Sequence, residues 1–307
     1  MKNIYKSYQD YLSEIFPYKV RKIPVNSGFT CPTRDGAKSF GGCTYCNNES
    51  FSPWYTKQNE SILSQIEKGI NFFSDKYGKG KYLVYFQSYT NTYSSIKEMN
   101  KIFTQAANSN DVVGLIIGTR PDCINEEILD YLKKLSEKLF IAVEFGIETI
   151  HEKTLKFVNR GHTYRDSEKA VLSADKKGIH TGAHLILNLP GETKKMMLET
   201  AVQISQLPLK TLKIHQLQII KNTIMARQFC KNPELFIFFS PEEYSEFIAE
   251  FLEFLNPETA VERFISETPP IFRIAPDWKG IRHNDILKMI ISVMKTGNKQ
   301  QGRLFNR

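Results

Sequence analysis

Between residues 19 and 220, short apolar segments of strand length alternate with amphipathic segments of helix length. That alternation limits the possible folds more than any other feature of the chain. Residues 19–27, 81–87, 112–117, 139–145, 179–187 and 211–220 read as strands. The segments between them carry helical spacing, as at Ile62, Ile66, Ile70 and Phe73. The predicted helices are 60–77, 95–108, 125–138, 151–159, 165–177 and 193–207. Asn125 is a predicted N-cap with acids in the turn that follows, and Gly178 stands where a C-cap glycine belongs. Six strands separated by helices imply parallel βαβ units. Right-handed crossovers curl such units into most of a barrel. The expected fold class is therefore α/β, a partial (β/α)6 TIM-like barrel. Sites in such folds lie at the carboxyl ends of the strands, which directs attention to the loops after the first and fifth strands.

After residue 220 the pattern changes. A Glu-rich helix (241–254), a short strand (260–265) and a basic helix (281–295) form a predicted small α/β extension over the open side of the barrel. The expected divisions are an N-terminal helical segment (1–18), the barrel (19–230) and the extension with its basic tail (231–307). The hydrophobic share of 41% and charged share of 24% are those of a globular chain. They exclude wholesale disorder, collagen and coiled coil. No apolar run approaches the roughly 20 residues a membrane span needs. Residues 1–12 show no apolar signal region, so a cytoplasmic location and no membrane partner are expected.

The net charge of +8 is concentrated at the end of the chain. Lys279, Arg282, Lys288, Lys295, Lys299, Arg303 and Arg307 face only Asp285 there. Such a tail suits a phosphate backbone, or is simply a solvated helix face with a loose end.

Three of the five cysteines are crowded into CPTRDGAKSFGGCTYC: Cys31, Cys43 and Cys46, with Cys123 and Cys230 isolated. An odd number in a reducing compartment reads as a metal site, not a disulfide framework. Thiolates suit zinc or an iron–sulfur cluster. Structural zinc needs a fourth ligand, and the next candidates are as distant as Cys123 and His151. Three cysteines also suit a four-iron cluster with one iron left open to a substrate.

The cysteine loop and later motifs resemble radical S-adenosylmethionine (SAM) enzymes. GFTCPTRDG, GGCTYCNN, GTRPD, FGIETIHEKTLKFVNRGH, HLILNLPGE and KIHQLQ are together similar to the YhcC/YtqA-like family. That family is related to the radical SAM subunit of Elongator. The resemblance runs from about Tyr11 to QGRLF near the end of the chain. It implies that Cys31, Cys43 and Cys46 bind three irons of a [4Fe–4S] cluster. It also implies that the fourth iron chelates SAM, whose cleavage leaves a 5′-deoxyadenosyl radical. An electron donor such as flavodoxin or ferredoxin is implied.

The resemblance also assigns expected roles. Tyr45 lies beside the adenine. Gln87 and Ser88 stand where many relatives carry Gly-Gly-Glu for the SAM amino group. Glu148 reaches the ribose and Arg160 the SAM carboxylate. His184 faces the cofactor. Gln216 and Leu217 border the adenine through their backbone. Arg120 and Asp122 bind cofactor or substrate, or pair with each other. Asn188 and Asn222 replace usual glycines, and Asn tolerates a left-handed backbone. Cys123 and Cys230 are expected to be ordinary buried thiols.

Relatives act on carbon 5 of the tRNA wobble uridine, and the YtqA-like branch is linked to converting carboxymethylaminomethyl-uridine to aminomethyl-uridine. tRNA is thus the expected partner, without an acetyl-CoA-dependent reaction. The other readings are a different substrate for the same chemistry, or a zinc-stabilised nucleic-acid-binding protein without catalysis.

Overall fold

The computed structural model describes residues 4–56 and 60–306. Of the basic tail, Arg307 lies outside the described residues. The main sheet runs β1 (Val20–Val25), β2 (Lys81–Phe86), β3 (Val112–Thr119), β4 (Phe140–Glu148), β5 (His180–Leu187), β6 (Thr211–Gln216) and β8 (Ala260–Arg263). Neighbouring strands are parallel throughout. The result is an α/β half-barrel with the expected six strands in chain order and a seventh from the C-terminal extension. The helices are α1 (Tyr8–Ile15), α2 (Ile62–Tyr77), α3 (Ile96–Ala107), α4 (Glu126–Ser136), α5 (Glu152–Phe157), α6 (Tyr164–Lys176), α7 (Lys194–Ser205), α8 (Ile224–Lys231), α9 (Pro241–Phe254) and α10 (His283–Thr296). Among the described residues, no helix is long and apolar enough to cross a membrane.

Strand alternation sorts the side chains into two layers. Val84, Phe86, Leu115, Ile117, Val143, Phe145, Leu212 and Ile214 face outward into one continuous core shared with the helices. Leu83, Tyr85 and Ile116 face inward and meet Tyr11, Leu12 and Phe16 from the α1 region. The N-terminal helix thus fills one end of the barrel. There Tyr11 Oη lies 2.6 Å from His180 Nδ1 on the first residue of β5. The opposite end, at the carboxyl ends of the strands, stays open for a site.

Two expectations are corrected. Residues 211–220 are not one strand. The chain leaves the main sheet after Gln216, and Ile219–Ile220 (β7) pairs antiparallel with Arg273–Ala275 (β9). The polar residues Gln216 and Gln218 bind Ser266 instead of continuing the ladder. The tail, moreover, is not a loose end. Lys299 and Arg303 both pair with Glu253 of α9. Gln301 is buried, donating to the carbonyls of Asn256 and Thr259 at 2.8 Å each.

The caps follow the sequence. Asn125 accepts from the Ile128 amide, and Gly178 follows α6 at φ +71°. Asn188 and Asn222 adopt φ +64° and +63°, so Asn does supply the left-handed turns.

Candidate active site

The cysteine loop leaves β1 and folds back on itself. The Arg34 amide donates to Cys31 O (2.8 Å), Gly42 to Thr33 O (2.8 Å) and Cys46 to Cys43 O (3.0 Å). Gly41 and Gly42 have φ of +83° and +75°, a consecutive left-handed pair that side chains disfavour. A Cβ on Gly42 would also stand 3.0 Å from Arg34 Nε. Asn159 Nδ2 donates to Gly42 O (2.8 Å), and the Thr44 amide to Val158 O (3.0 Å). The loop is therefore pinned to the segment after α5.

Each sulfur has a donor beside it: Thr90 Oγ1 at 3.0 Å from Cys31, Arg160 Nη1 at 3.4 Å from Cys43, and Asn48 Nδ2 at 3.8 Å from Cys46. Burial pushes the Cys31 thiol up, and that of Cys46 up to about 11. All three cysteines line one cavity at the barrel mouth. Among the described residues, no group of three or more His, Cys, Asp or Glu side chains is arranged to hold a metal ion. What the structure shows is three thiols, the soft donors an iron–sulfur cluster takes, on the lining of one cavity.

Several buried atoms facing this cavity lack partners: Tyr45 Oη, Arg120 Nη1, Arg160 Nε and His215 Nε2. Unpaired buried groups are costly, and their concentration on one hollow marks where a polar ligand belongs. The soft donor set and these orphans fit a cluster with a polar cofactor against it.

Most of the sequence-predicted residues come together here. Tyr45, Gln87, Arg120, Glu148, Arg160, His184, Gln216 and Leu217 all line the cavity. Arg160 is buried, 3.3 Å from Glu148 Oε1, and its Nη2 donates to Gly146 O (2.6 Å). A Cβ on Gly146 would lie 2.4 Å from Arg160 Nη2 and 2.7 Å from Glu148 Oε1, so a side chain there would push the Arg160 and Glu148 side chains aside. Glu148 sits at φ +70°, unusual for a residue with a side chain.

Ser88 does not join them. It is buried next to the Ser52 hydroxyl (3.4 Å), while its neighbours Gln87 and Tyr89 line the cavity. Ser88 lies two residues past the end of β2, where the chain has left the strand. Arg120 and Asp122 form a two-point pair at 2.9 and 3.0 Å, and Asp122 is also bound by Lys38 (2.5 Å). Gln216 holds Ser266 through both amide atoms, at 2.7 and 3.2 Å. Cys123 is half-buried. Cys230 is exposed on α8, correcting the expectation of a buried thiol.

The largest feature that sequence reasoning missed is an ionic network inside the barrel. Glu144 of β4 receives Lys213 Nζ (2.6 Å), Lys22 Nζ (2.9 Å) and His184 Nε2 (2.9 Å). Glu262 of β8 receives Lys213 (3.3 Å) and Lys22. The Lys22–Glu262 pair joins the two edge strands, β1 and β8, across the gap in the half-barrel. Lys213 also sits 4.0 Å above the Tyr85 ring. Burial opposes charge on Glu144, yet Lys213, Lys22 and His184 hold its carboxyl well below the usual range. Burial pulls Lys213 down to about 8 against the attraction of Glu144 and Glu262. The available signal was a charged residue at an inward position of an otherwise apolar strand, in AVEFG and TLKIH.

Comparison with known proteins agrees with this site. The family model for the Radical SAM superfamily matches residues 34–204, and that for the Radical_SAM C-terminal domain matches residues 209–296. The chain belongs to the radical SAM superfamily of enzymes, a family that implies a [4Fe–4S] cluster and SAM.

Within it, the chain is 33% identical to "Uncharacterized protein YtqA" of Bacillus subtilis, over 99% of this chain and 93% of that protein. It is also 35% identical to "tRNA uridine(34) acetyltransferase" of Methanocaldococcus jannaschii, over 34% of this chain and 18% of that protein. Among solved structures, the archaeal Methanocaldococcus infernus Elp3 superposes with a TM-score of 0.70 at 18% identity. The superposition covers 92% of this chain and 64% of that one. It shows the fold.

Proposed function

We propose that this radical SAM enzyme acts on the carbon-5 side chain of the tRNA wobble uridine, converting carboxymethylaminomethyl-uridine to aminomethyl-uridine. The observation that carries the reading is the stretch of 35% identity to a protein named for uridine 34 of tRNA. The end-to-end likeness to YtqA supports the branch.

Cys31, Cys43 and Cys46 would hold the cluster. Arg160 would hold the SAM carboxylate, Glu148 the ribose, and Tyr45 the adenine. Bound together, cluster and SAM supply a hydrogen-abstracting radical. Around them the protein orients and shields. Arg160 and Glu148 fix one wall, Gln216 clamps the Ser266 segment over another, and the α1 plug closes the far end to water. A single-electron donor such as flavodoxin or ferredoxin completes the system.

The conversion balances with water supplying oxygen. The two carboxymethyl carbons leave as glyoxylate, and two electrons and one proton end in methionine and 5′-deoxyadenosine. One further proton is released.

The test is nucleoside mass spectrometry of tRNA from a deletion strain, paired with reconstituted enzyme acting on that tRNA. Accumulated carboxymethylaminomethyl-uridine, converted in vitro to the aminomethyl form, is the expected result. An unchanged nucleoside profile would remove the reading. Colourless protein holding one zinc, purified without oxygen, would instead favour the non-catalytic alternative.

A further inference from the structure

β8 follows β6 in register for two residues, Thr211 with Ala260 and Leu212 with Val261. It then slips, so that Lys213 stands opposite Arg263. The extra residue is Glu262. Such a bulge re-aims the side chains around it, and here both members of the extra pair serve the interior. Glu262 closes the ionic network, and Arg263 lines the cavity shared with the cysteines. Phe264, the next residue, returns to the outer core.

Most of the charges on this wall are held in ion pairs. Lys22 and Lys213 are matched by Glu144 and Glu262. Arg160 has Glu148 and Arg120 has Asp122. Glu267, at the rim, accepts from the His283 amide at 2.8 Å. Among the described residues Arg263 makes neither an ion pair nor a side-chain hydrogen bond, although it is half-buried. His215 stands near it with Nδ1 against the Ser266 hydroxyl and a buried Nε2 that has no partner. With Ser266 donating to Nδ1, Nε2–H is a second free donor. A guanidinium with neither an ion pair nor a side-chain hydrogen bond and a free N–H, on one cavity wall, suit an anion.

We propose that Arg263, assisted by His215 Nε2, binds the carboxylate of the substrate's carboxymethylaminomethyl group and so determines specificity for it. The inference rests on the function proposed above and names how that substrate is chosen. The aminomethyl product has lost the carboxylate and carries a positive charge, so the Arg263 guanidinium no longer attracts it. The same residue thus favours substrate entry and product release.

The test compares wild-type, Arg263→Gln and Arg263→Lys holoenzyme on tRNA bearing either nucleoside. Wild type should bind the carboxymethylaminomethyl tRNA about ten-fold to a hundred-fold more tightly than the aminomethyl tRNA, as a charge-assisted hydrogen bond warrants. In Arg263→Gln the two affinities should become nearly equal and kcat/KM should fall by a similar factor. Cluster absorption and SAM cleavage without tRNA should stay unchanged. Arg263→Lys should recover part of the preference, which guards against a variant that merely misfolds. If Arg263→Gln keeps the wild-type preference while wild type converts the tRNA, the subsite is wrong and the function stands. If wild type cleaves SAM but does not convert the tRNA, both fall.

Discussion

The cavity has two walls built in opposite ways. The cysteine wall is local, with three ligands supplied by one loop of sixteen residues that glycine turns and Asn159 hold in place. The wall opposite is assembled from strands far apart in sequence. Tyr85, Glu144 and Lys213 line it from three strands, Lys22 and Glu262 of two more pair with them, and all five meet only because the barrel closes. A local wall survives as a motif and can be recognised in a bare sequence. An assembled wall depends on register, and a slip of one residue at Glu262 decides which side chains face the interior.

The largest effect should come from breaking the local wall. Replacing Cys31, Cys43 or Cys46 by Ala should abolish four-iron absorption and SAM cleavage, while Cys123→Ala and Cys230→Ala keep both. A full cluster in Cys43→Ala would sink the ligand assignment. Breaking the assembled wall should cost stability. Glu144→Ala leaves Lys213 and Lys22 short of a partner inside the barrel, and such removals typically cost about 3–5 kcal/mol. Chemical denaturation should show that loss, and a much smaller one would mean that water or Glu262 compensates.

Between the walls lies Arg160. Its conversion to Gln keeps a polar group beside Cys43 but removes the charge. SAM affinity should fall about ten-fold to a hundred-fold, equivalent to roughly 1.5–3 kcal/mol, with the cluster intact. Calorimetry on reconstituted protein that finds unchanged SAM binding would exclude the role.

His162, close to Arg160, offers a subtler test. Its Nδ1–H donates to Thr163 O (3.0 Å), and Nε2 is buried without a partner. Burial, with Arg160 and Arg120 near, lowers its pKa to about 3. The native state therefore stays neutral while the unfolded chain takes up a proton below about pH 6.5. This group's share of stability is present above pH 6.5 and is lost as pH falls toward 3, by about 1.4 kcal/mol per pH unit. His162→Gln should flatten the fall in unfolding free energy between pH 6.5 and 5. An identical pH slope in the variant would mean that the imidazole is already protonated in the fold.

The sequence made the barrel legible because apolar periodicity switches cleanly between strand and helix. It made the cysteine wall legible because the ligands are close together. Ser88 was misplaced because it lies in the turn after β2, and a motif comparison does not say which side chains of such a turn point inward. The 211–220 segment read as one strand because Leu217, Ile219 and Ile220 are as apolar as the strand before them. Yet Gln216 and Gln218 are bound to Ser266, some fifty residues on. Arg263 was missed because AVERFI places two charged residues side by side, and which of them faces inward is decided by the bulge, a property of the pair of strands.

The tail gives the smallest expected effect, and it discriminates between two docking surfaces. Lys299 and Arg303 pair with Glu253. Gln301 is bound beside the start of β8, at the end of the barrel away from the cavity. Lys279 and Arg282 are exposed, and Arg282 lines a second hollow that shares Gln216, Ser266 and Glu267 with the cavity mouth. A tRNA whose wobble base enters the mouth meets those residues first. Lys279→Ala with Arg282→Ala should weaken tRNA binding and flatten the dependence of log affinity on log salt, by roughly 0.7–0.9 for each phosphate no longer neutralised. Lys299→Ala with Arg303→Ala should leave both quantities within about two-fold of wild type, since both charges are already engaged by Glu253. Binding measured over a salt series decides the matter. If the tail pair matters and the rim pair does not, the nucleic acid runs down the side of the barrel along α10, and the surface around the mouth has to be reassigned.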